Sequence, residues 1–288
     1  MKSILVVCSV VLALFVWKNE SIIEGREVSL TWQNRLLSDY NSYDFDKGGY
    51  FRKCNALMGK TGALDDTCIK PNDNNKETIF LWGDSHAAAL GVGLREKYSD
   101  TFNFLQITSS GCRVLEESAR ADTERERLCV YSNQIALDTL GKEKINTVII
   151  AQEKKHSLIN FKRIIRVLEK NGVKNLVVVG PVPQWRPSLP LALTKQAHLS
   201  QKLSSDSFDY SIYQDNFFTE SIVKKLAKSS RLRIDYINLI ENLCSVREGV
   251  ISCNPWSNFS SGELLIFDYG HLTNSGAIYI TSNYFEGI

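Results

Sequence analysis

From Thr78 to the C-terminus, short apolar runs alternate with longer stretches of helical character, and few folds are compatible with that alternation. The run Ile79-Phe80-Leu81-Trp82 is typical of a buried strand, and the Ala- and Leu-rich stretch from His86 to Tyr98 is typical of a helix. Strands that alternate with helices form a parallel sheet covered on both faces. The sequence therefore predicts an α/β fold, a three-layer α/β/α sandwich, with functional residues in loops at the carboxyl ends of its strands.

The same pattern continues through the rest of the chain. Further strands are predicted near Phe102–Ile107 and at Thr147–Ala151, Val173–Val179 and Arg233–Leu239, and further helices at Glu124–Leu140, Leu158–Lys170, Phe208–Lys228 and through Ala277–Tyr284. Asn171-Gly172 is a suitable stop for the helix predicted at Leu158–Lys170, because glycine is favoured just after a helix end.

Length and charge limit the classes of function. A chain of 288 residues is long enough for one large domain plus a short extension. Its 34 basic and 32 acidic side chains leave a net charge of +2, so the chain lacks the excess of positive charge that is typical of nucleic-acid-binding proteins. We therefore expect no nucleic-acid partner.

The N-terminus predicts a membrane segment. Residues Ile4 to Trp17 are almost wholly apolar, with Lys2 before them and Glu20 and Glu24 after them. An uncleaved anchor is favoured over a signal peptide because no small-x-small cleavage site follows the apolar run, and the charges favour a cytoplasmic N-terminus with an exported body. We expect an anchor or signal segment at 1–20, a polar linker and disulfide-stapled lead-in at 21–76, and the regular domain at 77–288.

Cysteine usage agrees with export. Cys8 lies in the apolar segment, and the remaining six form an even set of three sequence-local pairs: Cys54 with Cys68, Cys112 with Cys129, and Cys244 with Cys253. Six cysteines allow 15 connectivities, of which proximity favours this one. Buried free thiols are the alternative. A metal site is disfavoured because the sequence contains no CxxC or HxxxH pair.

Two short motifs carry chemistry. Gly83-Asp84-Ser85-His86 stands where the first strand passes into the first helix, so the Ser85 hydroxyl would lie near backbone N–H groups able to stabilise an oxyanion. An Asp-Ser pair before a helix is also a common cap. Near the C-terminus, Asp268 precedes His271 by three residues on one loop, a spacing that lets a carboxylate orient an imidazole which then accepts a proton from a serine. A surface Asp and His would look the same in isolation, and it is the coincidence of both motifs that favours catalysis.

These motifs resemble those of the SGNH hydrolase-like superfamily, whose fold is a flavodoxin-like sandwich. The likeness is strongest to the extracytoplasmic SGNH domain fused to acyltransferase-3 membrane proteins, which also tends to carry Leu-Trp-Gly-Asp-Ser-His, seen here at Leu81 to His86, a Gly-Cys after the second strand, and an Asp-x-x-His-Leu near the end. It covers roughly residues 50 to 288.

The resemblance implies a role for each matching residue. Ser85 would be the nucleophile, His271 the general base and Asp268 the residue that orients it. The backbone N–H groups of Ser85 and Gly111 would stabilise the oxyanion. The family's Gly-x-Asn motif is replaced after Ile150 by Ala151-Gln152-Glu153, so the third donor would be the longer Gln152 side chain.

Other polar and aromatic residues carry weaker signals. Asp84 and His86 are candidates for lining the site, and each has a capping or packing role as its alternative. His156 and His198 are predicted to lie at the surface. The tryptophans Trp82, Trp185 and Trp256 suit either core packing, which is favoured, or a sugar-stacking surface.

The resemblance implies an extracytoplasmic O-acyltransferase or O-acetylesterase, on the periplasmic side of a membrane, that acts on a cell-surface polysaccharide or other glycan through an acyl-serine intermediate. No cofactor and no metal are expected. Either a separate acyltransferase-3 type membrane partner would supply acyl groups, or the chain would be the tail of a split or truncated protein. The alternative is a non-catalytic glycan-binding or assembly module that keeps the fold, because fold alone does not fix function.

Overall fold

The computed structural model describes residues 34–38, 43–44, 46, 51–56, 64–116, 122–195, 203–204 and 208–287. The apolar segment predicted at 1–20, Cys8 and His198 lie outside the described residues. Within the part of the chain that the structure describes, no helix combines the length and apolar character that crossing a bilayer requires.

The helices and strands follow the predicted alternation. The strands are β1 (Thr78–Gly83), β2 (Asn103–Thr108), β3 (Thr147–Ala151), β4 (Asn175–Val179), β5 (Leu203–Ser204), β6 (Arg233–Ile237), β7 (Cys244–Arg247), β8 (Val250–Cys253), β9 (Trp256–Asn258) and β10 (Glu263–Leu264). The helices are α1 (Phe51–Cys54), α2 (Ser85–Tyr98), α3 (Glu124–Lys142), α4 (Phe161–Lys170), α5 (Leu189–Thr194), α6 (Tyr210–Ala227), α7 (Leu239–Leu243) and α8 (Asn274–Tyr284). Residues 34–38 are also helical.

The central sheet has five strands in the order β2-β1-β3-β4-β6, and every neighbouring pair is parallel. Strand β1 lies inside the sheet and all six of its residues are buried, so its apolar side chains pack into the core on both faces of the sheet. Ile79 and Leu81 belong to a core that includes residues of α2 and α8, whereas Phe80 and Trp82 belong to a second core with residues of α3 and α4. The protein is the three-layer α/β/α sandwich predicted from the sequence.

Helix α8 packs closely against α2, and a glycine makes that approach possible. A Cβ atom at Gly93 of α2 would collide with the Ala277 carbonyl of α8 and crowd the Thr281 hydroxyl. The α8 N-terminus is capped by Thr273, whose hydroxyl accepts a hydrogen bond from the Gly276 N–H at 2.8 Å. This interface therefore fixes the start of α8, which directly follows Asp268 and His271 in the chain.

Three disulfides join Cys54 to Cys68, Cys112 to Cys129, and Cys244 to Cys253. This is the connectivity that sequence proximity favours. The first disulfide closes part of the lead-in, which joins the main sheet where the Ala56 N–H donates to the Thr108 carbonyl at the end of β2. The third closes the antiparallel β7–β8 hairpin.

Candidate active site

Ser85 is positioned by a tight turn between β1 and α2. The turn needs glycine at its first position, because a Cβ atom on Gly83 would collide with the carbonyl oxygen of Ala151 on β3. Asp84 caps α2 by accepting the His86 N–H at 2.8 Å, and its other carboxylate oxygen accepts the Glu153 N–H at 2.8 Å. Asp84 thus caps the helix, as the sequence allowed, and also joins the turn to the segment that follows β3.

His271 connects the two predicted motifs. Its Nε2 lies 2.8 Å from Ser85 Oγ, and its Nδ1 lies 2.6 Å from Asp268 Oδ2. The other Asp268 oxygen accepts backbone N–H groups of Gly270 at 2.9 Å and His271 at 2.7 Å, which holds the carboxylate in place. With Nδ1–H donated to Asp268, Nε2 is the acceptor for the serine proton, which is the arrangement needed to activate a serine hydroxyl.

The loop that carries Asp268 and His271 is held from outside by the segment between β4 and α5. The Trp185 N–H donates to the Tyr269 carbonyl and the Leu189 N–H to the Asp268 carbonyl, each at 2.8 Å. Within the loop, the Phe267 N–H donates to the His271 carbonyl at 3.0 Å. These backbone bonds define where the carboxylate and the imidazole lie.

His86 is neutral beside His271. Burial lowers the pKa of His86 well below its ordinary value, and positive charge on His271, His156 and Lys154 lowers it further. The rings of His86 and His271 have centroids 4.2 Å apart, and His86 Nε2 lies 3.3 Å from the Tyr269 hydroxyl. Burial, with the carboxylates of Glu153, Asp268 and Asp84, raises the pKa of Tyr269, so it remains a phenol. A neutral His86 would not repel a positive charge on the neighbouring His271 ring.

Asp84 is the buried acid of the site. Burial raises its pKa to about 6, although the N–H groups of Glu153 and His86 and the charge of His271 act in the opposite direction. Near neutral pH it is therefore mostly ionised, with one backbone donor for each oxygen.

The structure places the two further candidates for the oxyanion hole differently. Gly111 is exposed and has a positive φ of 66°. Its carbonyl oxygen accepts a hydrogen bond from the Arg125 guanidinium at 2.6 Å. Its loop begins beside the turn that carries Ser85, because the Ser109 N–H donates to the Gly83 carbonyl at 3.0 Å. Gln152 is buried, and its Nε2 donates to the Lys154 carbonyl at 2.7 Å, which uses one of its two hydrogens. Their part in oxyanion stabilisation remains a prediction.

Two buried side chains that the sequence analysis did not single out support these loops. Asn55, fully buried, accepts the Ser110 N–H at 3.1 Å and donates to the Ser110 hydroxyl at 3.0 Å, so the lead-in braces the loop of Gly111. Gln184 donates to the Glu153 carbonyl at 2.7 Å. Asn55 follows Cys54 directly, and that position in a disulfide-bonded segment is the one available sequence signal.

The prediction that His156 lies at the surface is wrong, since its exposed fraction is 0%. The Asp215 carboxylate on α6 accepts hydrogen bonds from the backbone N–H groups of His156 at 2.8 Å and Ser157 at 3.1 Å. These bonds hold the segment that contains His156 against α6. The tryptophans are at most 2% exposed and belong to the core, as favoured: Trp82, Trp185 and Trp256.

One cluster has the composition of a metal site. Among the described residues, ligand atoms of Cys112, Glu116 and Cys129 lie within 4.8 Å of one another. Cys112 and Cys129 are joined in a disulfide, so neither offers the thiolate that a metal would bind. The cluster is a disulfide with a neighbouring carboxylate.

The sequence also matches a family model, that of the SGNH domain fused to AT3 domains, over residues 53–284. The chain belongs to this family. The SGNH domain matches, with a TM-score of 0.66 and 18% identity, the periplasmic domain of a lipopolysaccharide acetyltransferase from Salmonella ser. Paratyphi A. That match covers 84% of this chain and 94% of the other, and it shows that the two share a fold. No curated protein gives a significant match.

Proposed function

We propose that this SGNH domain is a serine acyl-ester enzyme that acts on a cell-surface glycan, as an O-acyltransferase or an O-acetylesterase. The observation that carries the proposal is the hydrogen-bonded series in which His271 lies 2.8 Å from Ser85 and 2.6 Å from Asp268. Support also comes from the association of the family with acyltransferase-3 domains.

In the first half-reaction, Ser85 Oγ attacks the carbonyl carbon of the acyl donor while its proton passes to His271 Nε2. The tetrahedral intermediate is stabilised by the Ser85 backbone N–H at the start of α2, with Gly111 and Gln152 as further proposed donors. Collapse breaks the bond to the donor oxygen, which takes the proton from Nε2 and departs as an alcohol. The enzyme is left with an acyl group on Ser85 and a neutral His271.

In the second half-reaction, a sugar hydroxyl or a water attacks the acyl-serine and gives its proton to His271 Nε2. Collapse breaks the bond to Ser85 Oγ, and His271 returns the proton to that oxygen. A sugar acceptor yields the O-acylated glycan, whereas water yields the free acid. Asp268 stays ionised throughout and stabilises the imidazolium of each half-reaction.

The proposed setting is extracytoplasmic. The three disulfides suit an oxidising compartment, and we propose that the apolar segment at 1–20 anchors the domain on the periplasmic side of a membrane. An acyltransferase-3 type membrane protein is the proposed partner that supplies acyl groups. The Salmonella protein of the same fold is named as a lipopolysaccharide acetyltransferase, which favours a bacterial envelope polysaccharide as the glycan.

The direct test is hydrolysis of p-nitrophenyl acetate by the full chain, purified with its disulfides formed. We expect Ser85→Ala to lower the rate by at least about 10³-fold, because the nucleophile is lost. Ser229→Ala, which removes an exposed hydroxyl just after α6, is the matched control and should retain the parent rate. Equal rates for the parent and Ser85→Ala would show that Ser85 is not the nucleophile for simple esters.

One observation favours a non-catalytic glycan-binding module. Gln152 stands where the family has an Asn, one of its amide hydrogens is bound to Lys154, and its buried Oε1 has no hydrogen-bond partner among the described residues. A folded parent that retains glycan but releases no p-nitrophenol, and transfers no acetyl group to that glycan, would favour the module. Ser85-dependent turnover in either assay would exclude it.

A further inference from the structure

A cleft of about 380 Å³ lies beside the loop that carries Asp268 and His271. Phe267 and Thr273, which flank those two residues in the chain, line the cleft. Arg35 and Tyr43 of the lead-in also line the cleft. The cleft is within the size range of roughly 300–1,000 Å³ that is usual for small-molecule sites.

Aromatic rings connect the cleft to the triad. Tyr43 stacks on Phe267 with ring centroids 4.1 Å apart, and Phe267 in turn stacks on His271 at 5.8 Å. The Tyr43 hydroxyl donates to Asn274 Oδ1 at 2.9 Å, which fixes the tyrosine ring against the start of α8. Tyr43, Phe267 and His271 therefore form a continuous series of contacts between the cleft and Ser85 Oγ.

Polar groups are available around the aromatic wall. The Asn274 amide nitrogen and the exposed Glu263 carboxylate both line the cleft, and neither has a hydrogen-bond partner among the described residues. Hydroxyls of Thr273 and Ser275 and the Arg35 guanidinium complete the lining. Both signs of charge are present, so a phosphate or another compact anion would meet the Glu263 carboxylate. An aliphatic chain would offer no hydrogen bond to the Asn274 amide nitrogen or to the Glu263 carboxylate.

We propose that this cleft binds a pyranose residue of the glycan at a position away from the acylated hydroxyl. A pyranose offers C–H faces that pack on an aromatic ring and hydroxyls that pair with planar amide and carboxylate groups. The inference rests on the proposed function and adds a glycan subsite built jointly by the lead-in and the catalytic loop. The subsite would select a polymer over a short ester, because a short ester does not reach it.

The test measures binding separately from chemistry, in the full chain carrying Ser85→Ala so that no acyl group is turned over. The probe is the acid-released O-polysaccharide and capsular polysaccharide of cells that produce the protein, and the readout is retardation in polysaccharide-containing native gels. We expect Glu263→Ala and Tyr43→Leu each to raise the apparent Kd by about tenfold, the typical effect of losing one charged hydrogen bond or one aromatic face.

Matched controls make the same chemical changes elsewhere. Glu96→Ala on α2 and Tyr131→Leu on α3 remove exposed side chains and should leave the Kd within about twofold of the parent. Equal retardation of the cleft variants and the parent, or no retardation of the parent, would overturn the inference. Turnover of p-nitrophenyl acetate, measured with Ser85 intact and Glu96→Ala introduced, should match the parent. Absence of Ser85-dependent turnover in the unmodified chain would instead count against the proposed function.

Discussion

The two oxygens of Asp268 perform different tasks. Oδ2 lies 2.6 Å from His271 Nδ1, while Oδ1 accepts two backbone N–H groups of its own loop. Asp268 therefore holds the loop in shape and also sets the tautomer of the imidazole. Replacing its carboxylate by an amide should keep the first role, because an oxygen acceptor remains, and impair the second.

We expect Asp268→Asn to leave the fold intact and to lower kcat for p-nitrophenyl acetate by about 10³- to 10⁴-fold, because the amide disfavours the tautomer that accepts the serine proton. KM should change little. Steady-state kinetics with circular dichroism as a check on folding decide the outcome. A loss below about tenfold would mean that Asp268 does not orient His271 during the reaction.

The raised pKa of Asp84 predicts that the stability of the protein depends on pH. Its pKa is raised from 3.8 to about 6, so between these values the folded state binds more protons at this site than the unfolded state does. The free energy of unfolding contributed by this group therefore falls as pH rises from about 4 to 6, by about 3 kcal/mol.

Urea unfolding of the parent and of Asp84→Asn at several pH values isolates this contribution. As pH rises from about 4 to 6, the free energy of unfolding of the parent should fall relative to that of Asp84→Asn. A difference that stays constant from pH 4 to 7 would contradict the burial argument. At pH 7 the amide still costs about 1–3 kcal/mol, because it satisfies one of the two N–H donors and opposes the other.

Single residues also show what a sequence can disclose. Ser85, Asp268 and His271 were identified because each stands in a short motif with a spacing that suits its proposed chemistry. Asn55 and Gln184 were not, because their contacts depend on distant segments that approach only in the folded protein. His156 was misplaced for the same reason, since the carboxylate that holds it comes from 59 residues further along the chain.

At the level of elements, contact between α2 and α8 joins the helix that begins at Ser85 to the helix that follows His271. The approach depends on Gly93, where a Cβ atom would collide with Ala277. The distance between Ser85 and His271 therefore depends on helix packing as well as on the loop.

Two glycine-to-alanine variants should have opposite effects. Gly93→Ala should destabilise the protein by about 1–3 kcal/mol and reduce esterase activity, because the extra methyl group forces α8 away from α2. Gly141→Ala, in α3, should stabilise it by about 0.5–1 kcal/mol, since a Cβ atom there meets nothing within 4 Å. Urea unfolding and the p-nitrophenyl acetate assay measure both effects. Unchanged activity in a folded Gly93→Ala protein would show that the loop alone fixes His271.

Element boundaries were predictable where the local pattern is strong. Strand β3 has the predicted bounds because its four apolar residues, Val148 to Ala151, are followed directly by polar ones. The helix predicted from Leu158 begins instead at Phe161, because His156–Leu158 forms a 3-10 turn against Asp215. The strand order and the β7–β8 hairpin were not predicted, since they depend on contacts between distant segments.

At the level of the whole molecule, the three disulfides close short loops at separate places. Cys112–Cys129 spans 17 residues beside Gly111, and Cys244–Cys253 spans 9 residues in the β7–β8 hairpin. The shorter loop restricts the unfolded chain less than the longer one, so its contribution to stability is expected to be somewhat smaller.

Replacing either pair of cysteines by alanine should lower the free energy of unfolding by about 2–4 kcal/mol. Only loss of Cys112–Cys129 should also reduce turnover of p-nitrophenyl acetate in the folded protein, because that disulfide fixes the loop of the proposed oxyanion donor. Unfolding curves and kinetics of the two double variants give the comparison. Equal turnover in both would count against Gly111 as a donor.

Ser85 and His271 are 186 residues apart in the chain although their side chains touch. A ribosome that adds about 5–20 residues per second therefore makes the serine roughly 10–40 s before the histidine. Throughout that interval His271, the proposed base, is not yet part of the chain, and afterwards it reaches Ser85 only when α8 docks on α2. The proposed triad is therefore assembled only in the completed fold.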